Sequence, residues 1–189
     1  MYNAPVIEAY DDGYFPVAFK GGRGSTYIVG VEVRDVFYPS KVAWSLVKVD
    51  MNTTTVAISE ISKAMSGSLL VLDGITYAGF DVIDPLHLYA STGKGVIIVQ
   101  IYPLDLERIE CALRKHFYNW QSRYNTIREI YSKMIPVETP WRTIKLYTYG
   151  VSPSEAIKVI HGTCIYSPLP EPLRLADKIA SSISRALLK

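Results

Sequence analysis

Apolar and polar positions set two periods along the chain. The first third has strand character. Residues 6–10 (VIEAY) are mostly apolar, and residues 26–34 (TYIVGVEVR) are β-branched and aromatic. Residues 42–50 (VAWSLVKVD) place Val42, Trp44 and Leu46 at every second position, with Lys48 next in that series. The glycine-rich run DDGYFPVAFKGGRGS reads as a loop and DVFYPSK as a turn, which predicts a three-stranded antiparallel meander. The period then lengthens. In TTTVAISEISKAM, Val56, Ile58, Ile61 and Met65 share a helical face, with Asn52 or Thr53 as its cap and Gly67 as its stop. SLLVLD (68–73) and GVIIVQI (95–101) are unbroken apolar runs, the pattern of strands covered on both faces. DPLHLYASTG between them reads as a helix ended at Gly93. Residues 103–117 place Leu106, Ile109, Ala112, Leu113 and Phe117 along one side of an amphipathic helix. A helix or long turn continues to Met134. TIKLYTYG (143–150) is a further strand, and Ser152 with Glu155 forms a capping-box signature for the next helix. PEPLRLADKIASSISRALL closes the chain as a helix.

Strands followed by alternating helices and strands predict one α/β domain over residues 1–189, a mixed sheet with helices on its faces. Composition agrees: of 189 residues, 49% are hydrophobic and 20% charged, enough for a sizeable core. A net charge of +2 is too mild to point to nucleic acid by itself. Fourteen tyrosines fit either a packed core or stacking surfaces. No apolar run approaches the roughly 20 residues that span a bilayer. The first residues lack a basic region followed by an apolar stretch. A cytoplasmic protein without a membrane partner is therefore expected, and a homodimer is the default assembly on prevalence alone. Cys111 and Cys164 both lie among apolar residues, which predicts buried free thiols rather than a zinc site.

The candidate chemistry is acidic. Asp11 and Asp12 follow the first strand, and Asp73 ends a buried one. Locally, YDDG and LDG read as turns, since Asp-Gly is a strong turn dipeptide. KGGRG (20–24) lacks the ending of a P-loop and reads first as a plain flexible hairpin loop, though its two cations and several amides are compatible with a phosphate contact. His87, His116 and His161 fall on three separate predicted helices without metal-ligand spacing. RKHFYNWQSRYNTIR (114–128) interleaves cations with aromatics, which suits stacking on single-stranded nucleic acid or an ordinary helix face.

Three stretches carry a resemblance: LLVLDGITYAGF (69–80), GVSPSEAIKVI (150–160) and, most specifically, LPEPLRLADKIAS (169–181). With YDDGYF near the start, they resemble endonuclease V and, more closely, its archaeal relatives called domain of unknown function 99. The match runs in order over nearly the whole chain. It implies an RNase H-like fold, magnesium (with manganese as a substitute) as cofactor, and DNA or RNA with deaminated bases such as hypoxanthine as substrate. Asp11 and Asp73 match the family's two strand-end aspartates and would be neighbouring metal ligands. Asp50 is the nearest acid to the family's glutamate and the candidate third catalytic carboxylate. Lys20, Arg23, Tyr77 and Arg174 are the candidate substrate contacts, with Arg174 paired to Glu171 in a bracing role. The family's histidine before the SPSEA helix is replaced by Tyr149, its HPR element by ITYAGF, and its wedge segment has no counterpart here. A non-catalytic binding or interaction module on the same fold is the rival expectation.

Overall fold

A computed structural model describes residues 5–35 and 38–188. Its centre is a seven-stranded sheet in the order β3 (Tyr38–Lys48), β2 (Ser25–Asp35), β1 (Ile7–Asp12), β4 (Leu69–Asp73), β7 (Gly95–Gln100), β9 (Thr143–Tyr149), β8 (Ile135–Glu138). The meander is present: β1 (Ile7–Asp12), β2 (Ser25–Asp35) and β3 (Tyr38–Lys48) are successive antiparallel neighbours. The turn expected at 35–41 falls partly on residues 36 and 37, outside the described ones; its described flanks are strand.

The buried apolar runs form β4 (Leu69–Asp73) and β7 (Gly95–Gln100), parallel to β1 and to each other. The strand at 143–150 is β9 (Thr143–Tyr149), and it is antiparallel to β7. The reason is β8 (Ile135–Glu138), a strand the periodicity does not reveal because Pro136 interrupts a four-residue run. β8 and β9 form a hairpin, and its returning strand is the one that docks on β7.

Helices cover both faces. One layer holds α1 (Thr54–Lys63), α2 (Pro85–Thr92), α3 (Leu106–His116) and α4 (Trp120–Ser132) over Tyr10, Ile28, Leu70, Leu72 and Ile98. The other holds α5 (Pro153–Thr163) and α6 (Glu171–Leu187) over Ala9, Val29, Val71, Ile97 and Leu146. Val56 is half exposed, so the buried face of α1 is set by Ala57, Ile58 and Ile61 instead. Thr53 is the cap position, but its side chain does not close the helix. The buried Asp81 carboxylate does so from outside, accepting from the Thr53 and Thr54 N–H groups and the Thr54 hydroxyl. Ser152 caps α5 by accepting from the Glu155 N–H. Cys164 is buried as expected, whereas Cys111 is exposed on α3. No described helix is long and apolar enough to cross a membrane.

The end of the sheet opposite the strand-end aspartates is locked by buried charge. Glu8, fully buried, accepts from Lys94 Nζ (2.6 Å), the Ser62 and Tyr10 hydroxyls and the Gly67 N–H. Its cross-strand partner Glu32 accepts from the Ser66 N–H and the Ser40 hydroxyl, which hold its pKa down to about 2 against the opposing cost of burial. Removing one partner of such a pair strands a buried charge. Lys94→Met is therefore expected to destabilise the fold by about 3–5 kcal/mol in chemical denaturation, and Glu8→Gln added to it to recover much of the loss.

Candidate active site

Asp11 does not sit in a turn. β1 runs on through Asp12, with Asp11 opposite Val29 and Asp12 opposite Ile28. The parallel register pairs Tyr10 with Leu72, and one further step along both strands brings Asp11 beside Asp73. Strand alternation puts both on the face covered by α6, in line with Ala9 and Val71. α6 closes tightly on this end of β1. A Cβ on Gly13 would stand 1.6 Å from Ser184 Oγ and 2.8 Å from the Ala180 carbonyl oxygen, so only glycine fits after the acidic pair.

The electrostatics of the cluster follow from this placement. Burial first, then the charges of Asp73 and Asp12, push the Asp11 carboxyl up to about 9. Burial and the charges of Asp12 and Asp177 raise Asp73 to about 6. Asp12 is raised to about 6, chiefly by burial. Among the described residues no ion pair reaches Asp11, Asp12 or Asp73. Partly buried carboxylates with no cation beside them favour protonation unless a cation arrives. That donor set suits a hard divalent ion, the Asp73 carboxylate accepting no hydrogen bond from the described residues. No three His, Cys, Asp or Glu side chains among the described residues close on a common point. Two carboxylates completed by water and substrate oxygens are nonetheless the usual manner of holding magnesium. Asp11 and Asp73 supply a carboxylate pair of that kind.

Asp177, in the second turn of α6, is the acid that sequence reasoning passes over. It ends the PEPLRLAD stretch and adds its charge to Asp11, Asp12 and Asp73, while its own carboxylate bonds Lys178 at 2.9 Å. A signal for it exists: it lies three residues after Arg174, on the same helix face.

Asp50 is not in this group. It is buried just after β3, and both its carboxylate oxygens are committed, Oδ2 to the Gly21 N–H (2.7 Å) and Oδ1 to the Phe80 N–H (2.7 Å). Each oxygen thus holds a main-chain N–H of a different loop, and Asp50 is not among the charges that shift Asp11, Asp12 or Asp73, so its observed work is bracing. Tyr77 is fully buried. Its hydroxyl accepts from the Asp73 N–H at 2.6 Å and donates to the Tyr10 carbonyl at 2.9 Å. It therefore braces the ends of β1 and β4 from beneath and offers substrate no surface. Lys20 and Arg23 are exposed on a loop at the same end of the sheet as Asp73. That loop is pinned, with Gly22 N–H on the Val49 carbonyl and Val49 N–H on the Gly24 carbonyl, so it is not the free hairpin expected. Arg174 pairs with Glu171 at 2.7 Å, as expected, and keeps 42% of its side chain exposed. Tyr149, standing for the family's histidine, packs edge-on against Tyr89 with ring centroids 5.4 Å apart. The aromatic strip of 114–128 spends its arginines internally, Arg114 over Trp120, Arg123 over Phe117 and Arg128 over Tyr124.

A family model described as endonuclease dU matches residues 6–184. The chain belongs to the endonuclease dU family. Its curated relatives include a UPF0215 protein of Pyrococcus furiosus, 34% identical over 186 residues that cover 95% of this chain and 92% of that one. Another UPF0215 protein, from Thermococcus gammatolerans, is 32% identical over 182 residues, 94% of this chain and 91% of that one. A solved structure from Archaeoglobus fulgidus superposes with a TM-score of 0.80 at 23% identity, over 95% of this chain and 98% of that one. The endonuclease V of Ciona intestinalis, solved with DNA containing an inosine followed by a ribo-adenosine, gives a TM-score of 0.56 at 15% identity, covering 97% and 86%. These likenesses fix the fold of this endonuclease dU family member as RNase H-like.

Proposed function

We propose that the chain is a divalent-metal-dependent endonuclease that hydrolyses a phosphodiester of DNA or RNA at a deaminated base, with deoxyuridine as the first candidate. The observation that carries this reading is the pair Asp11–Asp73, side by side on neighbouring parallel strands and without a cation among the described residues. The family's description supplies deoxyuridine, and the inosine-containing DNA bound by the Ciona endonuclease V supports nucleic acid as the ligand class.

Asp11 and Asp73 would hold the ion. A bound magnesium or manganese would supply Lewis-acid activation of water and neutralise charge on the phosphate. Tyr77 keeps the Asp73 main chain fixed, so the two carboxylates need not reorganise when charge develops. Asp12 is turned to the Ala78 N–H (2.7 Å), which orients it and ties the following hairpin to the site. Asp177 adds negative charge that strengthens attraction for the cation. Lys20, Arg23 and the exposed part of Arg174 are the groups available to hold phosphates on either side of the scissile bond.

A binding module without cleavage is the second reading. It is favoured by Tyr149, whose packed ring is no ligand, and by the lack of a third carboxylate closing on the pair among the described residues. Incubating the protein with single strands carrying deoxyuridine, inosine or no lesion separates the two. Cleavage near deoxyuridine that needs magnesium and stops with a chelator is the expected result. Binding of the same strands with no cleavage under any metal overturns the enzyme reading in favour of the module.

A further inference from the structure

A second buried polar cluster lies next to the acidic one, and the cleavage reading leaves it without a role. Arg123, in the first turn of α4, is almost wholly buried, yet none of the ion pairs among the described residues includes it. Its guanidinium spends its donors on neutral oxygens. Nε donates to Asn119 Oδ1 at 3.1 Å, Nη2 to the Asp50 carbonyl at 2.8 Å and Nη1 to the Phe80 carbonyl. The Phe117 ring lies 4.6 Å beneath it, and Phe80 packs edge-on against Phe117. Burying an arginine costs free energy unless its geometry is well satisfied. Here that burial fixes two main-chain carbonyls from two different loops.

The same two loops are joined a second time. Asp50 N–H donates to the Ala78 carbonyl at 2.9 Å, and the Asp50 carboxylate takes the Phe80 N–H on one oxygen and the Gly21 N–H on the other. Asp50 thus holds the turn after β3, the loop carrying Lys20 and Arg23, and the hairpin of β5 (Thr76–Tyr77) and β6 (Asp81–Val82). The fit is tight, since a Cβ on Gly79 would lie 2.2 Å from Asp50 Oδ1. The non-glycine residues with positive φ among the described residues are Asp50 (67°), Asn52 (56°) and Ala78 (41°). All belong to this junction. Strained backbone persists only where its surroundings over-determine it. At Ala78 the strained conformation is what presents the N–H to Asp12 Oδ2 in the acidic cluster.

We propose that Arg123 and Asp50 form a buried clamp that sets the 76–82 hairpin and the 20–24 loop against the acidic cluster, which makes Arg123 a positioning residue for cleavage. The proposal rests on Asp11 and Asp73 being the metal site. The line of force is short. Arg123 fixes the carbonyls of Asp50 and Phe80, Asp50 fixes Ala78 and Phe80, and Ala78 fixes Asp12. Lysine cannot reproduce it, because one ammonium lacks the planar fork that reaches both carbonyls and Asn119.

Arg123→Lys and Arg123→Met test it, each read by amide exchange, by calorimetric titration with Mn2+ and by kcat and KM on a deoxyuridine-containing strand. The clamp predicts faster exchange at Ala78, Gly79 and Phe80 with the sheet core unchanged. It predicts Mn2+ affinity weaker by about 10–100-fold, the range seen when groups supporting a metal site are removed. It also predicts a loss mainly in kcat. A residue that only stabilises the fold would lower the melting temperature and leave metal affinity in the folded protein intact. Folded variants with wild-type Mn2+ affinity and kcat overturn the clamp; if Arg123→Met does not fold, Arg123→Lys decides the matter through the same readouts. Should wild type itself bind no Mn2+ and cut no strand, the cleavage reading fails and the clamp falls with it.

Discussion

Asp73→Asn is expected to abolish metal-dependent cleavage while leaving the fold intact. The substitution keeps the shape of the side chain and removes the charge that, with Asp11, would hold the cation. The Asp73 main chain stays tied to the Tyr77 hydroxyl, and the Asp73 carboxylate accepts no hydrogen bond within the described structure that the amide would lose. Loss of one preorganised group that stabilises transition-state charge typically costs roughly 10²–10³-fold in kcat. A carboxylate that anchors the cation itself is expected at the top of that range or beyond. Since the buried repulsion with Asp12 and Asp177 is relieved, the variant without metal should melt at or above the wild-type temperature. Activity lost and stability kept is the signature of a functional charge. Cleavage unaffected by Asp73→Asn would exclude the residue from the reaction.

The second large effect is a dependence of stability on pH that metal removes at high pH. Asp11, Asp12 and Asp73 all have folded values raised from 3.8, Asp11 to about 9 and the other two to about 6. Between about pH 4 and about pH 9 the folded protein therefore binds more protons than the unfolded chain, and stability must fall as pH rises. Metal-free protein should lose on the order of 5–10 °C in melting temperature over that interval, as a few kcal/mol does in a chain of this size. The steepest part should come between about pH 4 and pH 6, where all three groups hold protons the unfolded chain has lost; above pH 6 Asp11 alone still holds its proton and the fall is shallower. Excess magnesium binds the ionised form and should cancel the fall at high pH. Asp11→Asn should flatten the metal-free profile. A melting temperature that rises with pH between about 5 and 9 in the presence of chelator would contradict the proposed electrostatics. The Glu32 carboxylate acts in the opposite sense, its folded value of about 2 adding stability that is lost only as pH falls below 4.5.

The strands that build the site are legible in the sequence because their burial is two-sided. LLVL and GVIIV lie between helical layers on both faces, so nothing polar interrupts them before Asp73 and Gln100. The meander is legible from β-branched and aromatic residues, although its outward stripe of Val42, Trp44 and Leu46 is exposed rather than buried, because α6 lies over β1 and β2 and stops short of β3. What local pattern cannot show is long-range use of polar groups. Nothing local shows that Asp50 braces Gly21 and Phe80, 29 and 30 residues away in the chain. Tyr77 looks like a surface contact until its hydroxyl is found under Asp73. The two-residue strands β5 and β6 are too short to carry a period, and their turn is set by Gly79 and by Asp50 across from it. Asp177 is hidden for a different reason. Its motif draws notice to Glu171 and Arg174, whereas its charge matters only once α6 is laid across the end of β1. The resemblance to endonuclease V supplies the fold and the aspartate pair; the bracing around them can be read only in three dimensions.

On the proposed reading Asp11 and Asp73 share a divalent ion. Anomalous scattering from a crystal soaked in Mn2+ tests it most directly. A shared ion gives a peak between the Asp11 and Asp73 carboxylates that is absent from Asp73→Asn crystals soaked in the same way. A fully soaked wild-type crystal with no peak there, or with manganese bound only elsewhere, would contradict it.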